Sequence, residues 1–154
     1  MCNPLLAGVA ALVGGGLSAY GQYEQGKFAE EQAEHNAEVE EANAEIAVAE
    51  GSNRAAEIRE RSRKIRASQR AAGAASGLEV GSGSALDILM DTAQLGELDA
   101  QTAQWNAKNE SYGLRMNASQ LRSQGRMDRY ASRLSAGGTL LGSGASAYGM
   151  YANQ

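Results

Sequence analysis

Between Gln22 and Ala136 the apolar residues recur at three- and four-residue steps and the alternation of a strand is nearly absent, which predicts long helices. In the first arm Val39, Ala42, Ile46, Ala49 and Ala56 follow such steps around a polar Asn53, and Ile58 and Ile65 continue at a spacing of seven. In the second arm Leu95, Leu98, Trp105, Tyr112 and Met116 make a similar row, interrupted by Thr102 and Asn109. Both rows are narrow seams of the coiled-coil type, and each needs a partner helix.

The arms are separated by the glycine- and serine-rich stretch from Gly73 to Gly83, in which Gly77, Gly81 and Gly83 tolerate positive φ and stop a helix. Ser84, with Asp87 three residues later and an apolar run beyond, has the spacing of a helix N-cap. The chain is thus divided into an apolar Gly/Ala-rich segment (1–23), a first long helix (24–72), a turn (73–83), a second long helix (84–135) and an apolar Gly-rich segment (136–154). The predicted fold is all-α, a long antiparallel helical hairpin with Gly-rich apolar ends, assembling into an oligomeric bundle or ring.

Composition supports helices and argues against a large private core. The 154 residues include one Phe, one Trp and one Pro, so the bulky apolar supply is thin and alanine carries much of the hydrophobic fraction. Alanine favours helix but brings little surface to burial. Two Ala-rich seams of this kind bury too little surface by themselves, which predicts lateral association of several hairpins.

Charge gives the hairpin its direction. From Glu24 to Glu50 there are nine acids and one base, and from Gly51 to Arg70 two acids and seven bases. The second arm inverts the order, with six acids and one base from Glu79 to Glu110, then one acid and five arginines from Ser111 to Arg133. Folding back near Gly77, with residue i beside roughly 154 − i, sets each acidic block against a basic one, whereas a parallel pairing aligns like charges. Exposed pairs contribute only about 0–1 kcal/mol each, so the pattern sets register more than stability. It can be satisfied within one chain or between chains.

The same fold brings the ends together. Leu5, Leu6, Val9, Leu12, Val13, Leu17, Tyr20 and Tyr23 at one end, and Leu140, Leu141, Tyr148 and Tyr151 at the other, belong to uncharged segments that each close on Tyr-Gly-x-Tyr. These residues form a candidate oligomer or membrane tip, since small residues permit close helix approach and tyrosines suit a membrane interface. Taken on the residues alone, a tight helix junction in water is the simpler reading, because glycine lowers hydrophobicity and helix propensity together.

No residue pattern points to catalysis, a metal or a cofactor. His35 is the single histidine and lies among glutamates; Cys2 is the single cysteine, which excludes an internal disulfide framework. Gly21-x-x-x-x-Gly26-Lys27 starts like a phosphate-binding loop but continues with Phe28 where Ser or Thr must hold magnesium. The block Arg54, Arg59, Arg61, Arg63, Lys64, Arg66 and Arg70 is the best candidate for phosphate contact. Without interleaved aromatics to stack bases it is assigned first to pairing with Glu79, Asp87, Asp91, Glu97 and Asp99.

Four stretches in order carry a resemblance. They are the Met1-Cys2-x-Pro4 opening before an Ala/Gly-rich run, Ile65-Arg-Ala-Ser-Gln-Arg-Ala-Ala72, Ala75-Ser-Gly-Leu-Glu-Val-Gly-Ser-Gly-Ser-Ala-Leu-Asp87, and the Gly144-Ala-Ser-Ala-Tyr148-Gly ending. In these the chain resembles the small internal core, or ejection, proteins of short-tailed bacteriophages. The resemblance implies a multi-copy homo-oligomer stored inside the capsid above the portal, with larger internal core proteins as partners. It further implies exit ahead of the genome, a conduit through the host outer membrane, and contact with genomic DNA by passage rather than specific binding. It raises the membrane reading of the tip, and leaves two competitors: a purely structural core or portal-docking protein, and a nucleic-acid binder using Arg54 to Arg70.

Overall fold

The computed structural model describes the backbone of residues 4–77 and 79–152 and the side chains of residues 13–77 and 79–149. It contains two long helices, α1 (Pro4–Ala75) and α2 (Gly83–Ala152), joined by a short turn, and no strand among the described residues. The protein is an all-α helical hairpin. Pro4 occupies the first position of α1, where its missing N–H is no loss and its fixed φ suits the helix. Both helices continue through the Gly-rich end segments.

The turn is shorter than the glycine pattern predicts. Gly73, Ala74 and Ala75 remain helical, and the break comes at Gly77, whose φ of +77° is the left-handed conformation that ends helices. The N–H of Gly77 bonds the Ala74 carbonyl at 3.1 Å, and the Ser76 hydroxyl caps the Gly73 carbonyl at 2.8 Å. At the other side α2 opens at Gly83, with φ +62°, one residue before Ser84. Among the described residues no side-chain hydrogen bond joins Ser84 to Asp87, so glycine geometry rather than a capping box starts this helix.

The chain divides into two compact units, an inner one, Glu40–Met116, that contains the turn, and a terminal one formed by Met1–Val39 with Asn117–Gln154. In the inner unit Gly51 lies against Ala107 and Gly96 against Ser62, so residue i faces 158 − i. In the terminal unit Gly15 meets Ser143, Gly26 meets Ser132 and Gly125 meets Ala33, again at 158 − i. The predicted offset of 154 is corrected by four, because the centre of the turn falls near Glu79 and not Gly77.

The seams are also corrected. Val39, Ile46 and Ile65 are exposed on α1, as are Leu95, Leu98, Trp105, Tyr112 and Met116 on α2, while Ile58 is half-buried. What the helices bury is small. In the inner unit Ala44, Ala47, Gly51, Ala55 and Ser62 of α1 face Leu89, Gly96, Ala100, Ala107 and Ser111 of α2. In the terminal unit Ala19, Gly26 and Ala37 face Ala118, Gly125 and Ala136.

These buried positions recur at eleven residues: Ala44 and Ala55, Gly51 and Ser62, Leu89 with Ala100 and Ser111, Gly26 and Ala37, Gly125 and Ala136. An eleven-residue repeat is about 3.67 residues per turn, close to an unstrained helix, so one face stays on its partner without the left-handed winding that a heptad demands. The glycines make the approach possible: a Cβ on Gly51, Gly96, Gly26 or Gly125 would come within 3.0 Å of the opposite helix. The trade is a thin core. Leu89, 5% exposed, is the one bulky aliphatic residue in the seam among the described residues, and each buried methyl contributes only about 0.8 kcal/mol.

Candidate assembly site

Three features of the described surface carry chemistry: cross-helix ion pairs, a row of arginines and outward apolar residues. In the inner unit Arg59 makes a two-pronged contact with Glu97, Nε to Oε2 at 2.8 Å and a terminal nitrogen to Oε1 at 2.7 Å. In the terminal unit Arg122 Nε donates to Glu34 at 2.9 Å, and Arg129 pairs with Glu30. Each of these joins an acidic block to the basic block predicted opposite it, and does so within one chain. Hydroxyl contacts reinforce the register, with Ser62 Oγ on the Thr92 carbonyl at 3.0 Å and Thr139 on Gln22 at 3.2 Å.

The bidentate hydrogen bond from Arg59, helped by Gln101, pulls the Glu97 carboxyl down to about 2. Its folded value lies below that of a free glutamate, about 4.3, so the pair stabilises the hairpin above that pH and the benefit is lost as pH falls through about 2. At low ionic strength, where exposed pairs are least screened, the wild type should therefore melt above Glu97→Gln at neutral pH, and the two curves should converge near pH 2. A gap independent of pH would refute the pairing.

The basic block is paired far less than the sequence leads one to expect. Of Glu79, Asp87, Asp91, Glu97 and Asp99, only Glu97 forms an ion pair with it among the described residues. Lys64 is taken by Glu60 of its own helix at 2.7 Å. No ion pair among the described residues holds Arg54, Arg61, Arg63, Arg66 or Arg70. At 158 − i Arg63 and Arg66 face Leu95 and Thr92, which carry no charge, while Glu97, opposite Arg61, is held by Arg59 instead.

Of the tip residues, the side chains of Leu5, Leu6, Val9, Leu12 and Tyr151 lie outside the described ones. Val13, Leu17, Tyr20, Tyr23, Leu140, Leu141 and Tyr148 are exposed. Tyr20, Tyr23 and Leu140, with Gly16 and Gly137 between them, line an open apolar groove of about 450 Å³ in the terminal unit. In the inner unit Ile58, Ile65 and Leu95 line another, of about 220 Å³. Gly81 sits in the turn and Gly83 opens α2, each with open space where a Cβ would stand.

The residues missed by sequence reasoning are the small ones that hold the hairpin, above all Gly26, Gly51, Gly96 and Gly125, together with Glu30, Glu34, Arg122 and Arg129. The signal of the glycines is present in the chain as the eleven-residue spacing of Gly, Ala and Ser, for example Gly15, Gly26 and Ala37, and that of the charged residues as the inverted acidic and basic blocks.

A small-residue seam inside and bulky apolar residues outside define a class: all-α hairpins that leave more bulky apolar surface exposed than they bury. The particular family follows from comparison with family models. The model of the T7 virus internal virion protein gp14 family matches residues 1–154, and the chain belongs to that family. It is an internal virion protein, located in the virion interior in association with other virion components. No curated protein and no solved structure matches it.

Proposed function

We propose that this internal virion protein acts by assembly and not by catalysis: copies pack laterally beside the portal and larger core proteins, leave the particle at infection, and help to form a conduit across the host outer membrane. The observation that carries the reading is the outward placement of the bulky apolar residues. Trp105 is 64% exposed and Tyr112 67% while the helices bury Ala, Gly and Ser, so a single hairpin leaves most of its transferable apolar surface in water. Neighbouring copies cover it most economically by a closed ring.

The terminal unit supports the second half of the proposal. After Arg133 no charged side chain follows, and the exposed Tyr20, Tyr148, Leu140 and Leu141 belong to segments free of charge. Among the described residues no helix is long and apolar enough to cross a membrane, so the crossing falls to an assembly of copies. Purified protein should release dye from liposomes, and deletion of residues 1–23 or 136–154 should abolish release. Full leakage from a doubly truncated chain would overturn the conduit; failure of the intact protein to bind bilayers under any condition would leave a portal-docking role instead.

A further inference from the structure

Arg59, Arg63, Arg66 and Arg70 stand at steps of four, three and four residues, which places all four guanidinium groups on one face of α1. Within that row only Arg59 has a carboxylate, Glu97, and it stands at one end. Glu60, the acid nearest Arg63 on α1, is held by Lys64, which with Arg63 also draws its pKa down. The facing wall on α2 is neutral beyond Glu97: Ala93 and Met90 lie one and two turns before it on the same side. Between the helices runs an open groove of about 150 Å³ bordered by Arg59, Arg63 and Arg66, with Ser62, Ala93 and Gly96, and by Glu97 as its one acid. The Arg66 Nε is buried in it without a hydrogen-bond partner.

Arg63, Arg66 and Arg70 stand in line at exposed or half-exposed positions, and the single acid of the groove, Glu97, is already held by Arg59, so the row keeps a net positive charge that a polyanion can join with release of counterions. We infer that this row is a track for the phosphodiester backbone of nucleic acid, bound without regard to sequence. The eleven residue steps from Arg59 to Arg70 span about 17 Å, the rise of about five nucleotides of one duplex strand. Exposed aromatic residues do not alternate with the arginines, so phosphates rather than stacked bases supply the contact.

The other polyanion available is the acidic block of a second copy. Glu30, Glu31 and Glu34 of that block already hold Arg129, Lys27 and Arg122, and Glu41 has a partner as well. Glu24, Glu38, Glu40, Glu45 and Glu50 are the acids of that block left to a second copy, whereas every phosphate of a nucleic-acid backbone is open to contact, and the protein shares the virion interior with a genome. The inference is independent of the conduit proposed above, since it requires neither ejection nor a membrane.

The test is the salt dependence of full-length protein binding to a mixed-sequence DNA duplex. Three phosphate contacts give a slope of log affinity on log salt of about −2.7, or a fall of about 40-fold between 50 and 200 mM, for this row alone. The triple variant R63Q/R66Q/R70Q should lose that share of the slope, R63K/R66K/R70K should keep it, and R61Q/K64Q, on the other side of the helix, should change it by less than half as much. If the triple variant loses helicity by circular dichroism, R63Q/R70Q, both exposed positions, replaces it with an expected slope change of about 1.8. Unchanged affinity and slope in the glutamine variants would overturn the inference. So would undiminished DNA binding accompanied by lost binding to a peptide of residues 24–50, which would assign the row to a second copy.

Discussion

Alanine at Gly51 should destabilise the hairpin, while the same substitution at Gly113 should stabilise it. Both glycines lie in helical segments of the inner unit, and in each the change restricts the unfolded chain and improves helix propensity by about 0.5–1 kcal/mol. At Gly113 that gain stands alone, because a Cβ there meets nothing within 4 Å. At Gly51 the new Cβ would drive into the Ala107 Cβ and approach the Ala103 carbonyl at 3.5 Å, so the partner helix must retreat. Forced overpacking costs about 1–3 kcal/mol, and separation also weakens the small contacts on either side. The expected net is a fall in Tm of several degrees for Gly51→Ala and a rise of a few for Gly113→Ala, read by thermal unfolding. Stabilisation in both variants would show that the seam is not where the structure puts it.

The second large effect is expected in assembly with the fold left alone. Leu98, Trp105, Tyr112 and Met116 lie about 150° around α2 from the buried row of Gly96, Ala100, Ala107 and Ala118, at 100° per residue. Replacing Leu98, Trp105 and Tyr112 together by glutamate removes no contact of the seam, so helicity and Tm should stay within the small range of surface changes, about 0.5 kcal/mol per site. Self-association should collapse. Covering each of these side chains stabilises an oligomer by about 1.5–3 kcal/mol, so their loss weakens association by at least about a thousand-fold, visible as a single-hairpin species in sedimentation. Unchanged sedimentation would remove the apolar row from the assembly interface.

Those two rows explain where sequence reading succeeded and where it failed. The helices, the break near Gly77 and the antiparallel sense are legible, because alanine-rich arms, a cluster of glycines and inverted charge blocks are local or order-dependent properties. Arg59 with Glu97, Glu34 with Arg122 and Glu30 with Arg129 join the blocks as the charge order requires. Which arginines pair is not legible. Glu97 goes to Arg59 although Arg61 stands opposite it at 158 − i, and a charge count has no resolution at the scale of single side chains. The tempting seam of Ile46, Leu98 and Trp105 misleads for a different reason: bulky residues advertise burial, but nothing local says whether their partner is the same chain or another.

By itself, then, the amino-acid order determines two helices, a glycine-broken turn, and the antiparallel direction in which opposite charges can meet. The tertiary structure alone decides which face of each helix turns inward. Two repeats, one of seven with bulky residues and one of eleven with small ones, coexist on the same helices, and only the distance between the two backbones chooses between them. Gly26, Gly51, Gly96 and Gly125 allow an approach too close for Leu or Trp, so the small residues close the hairpin and the large ones are left facing outward.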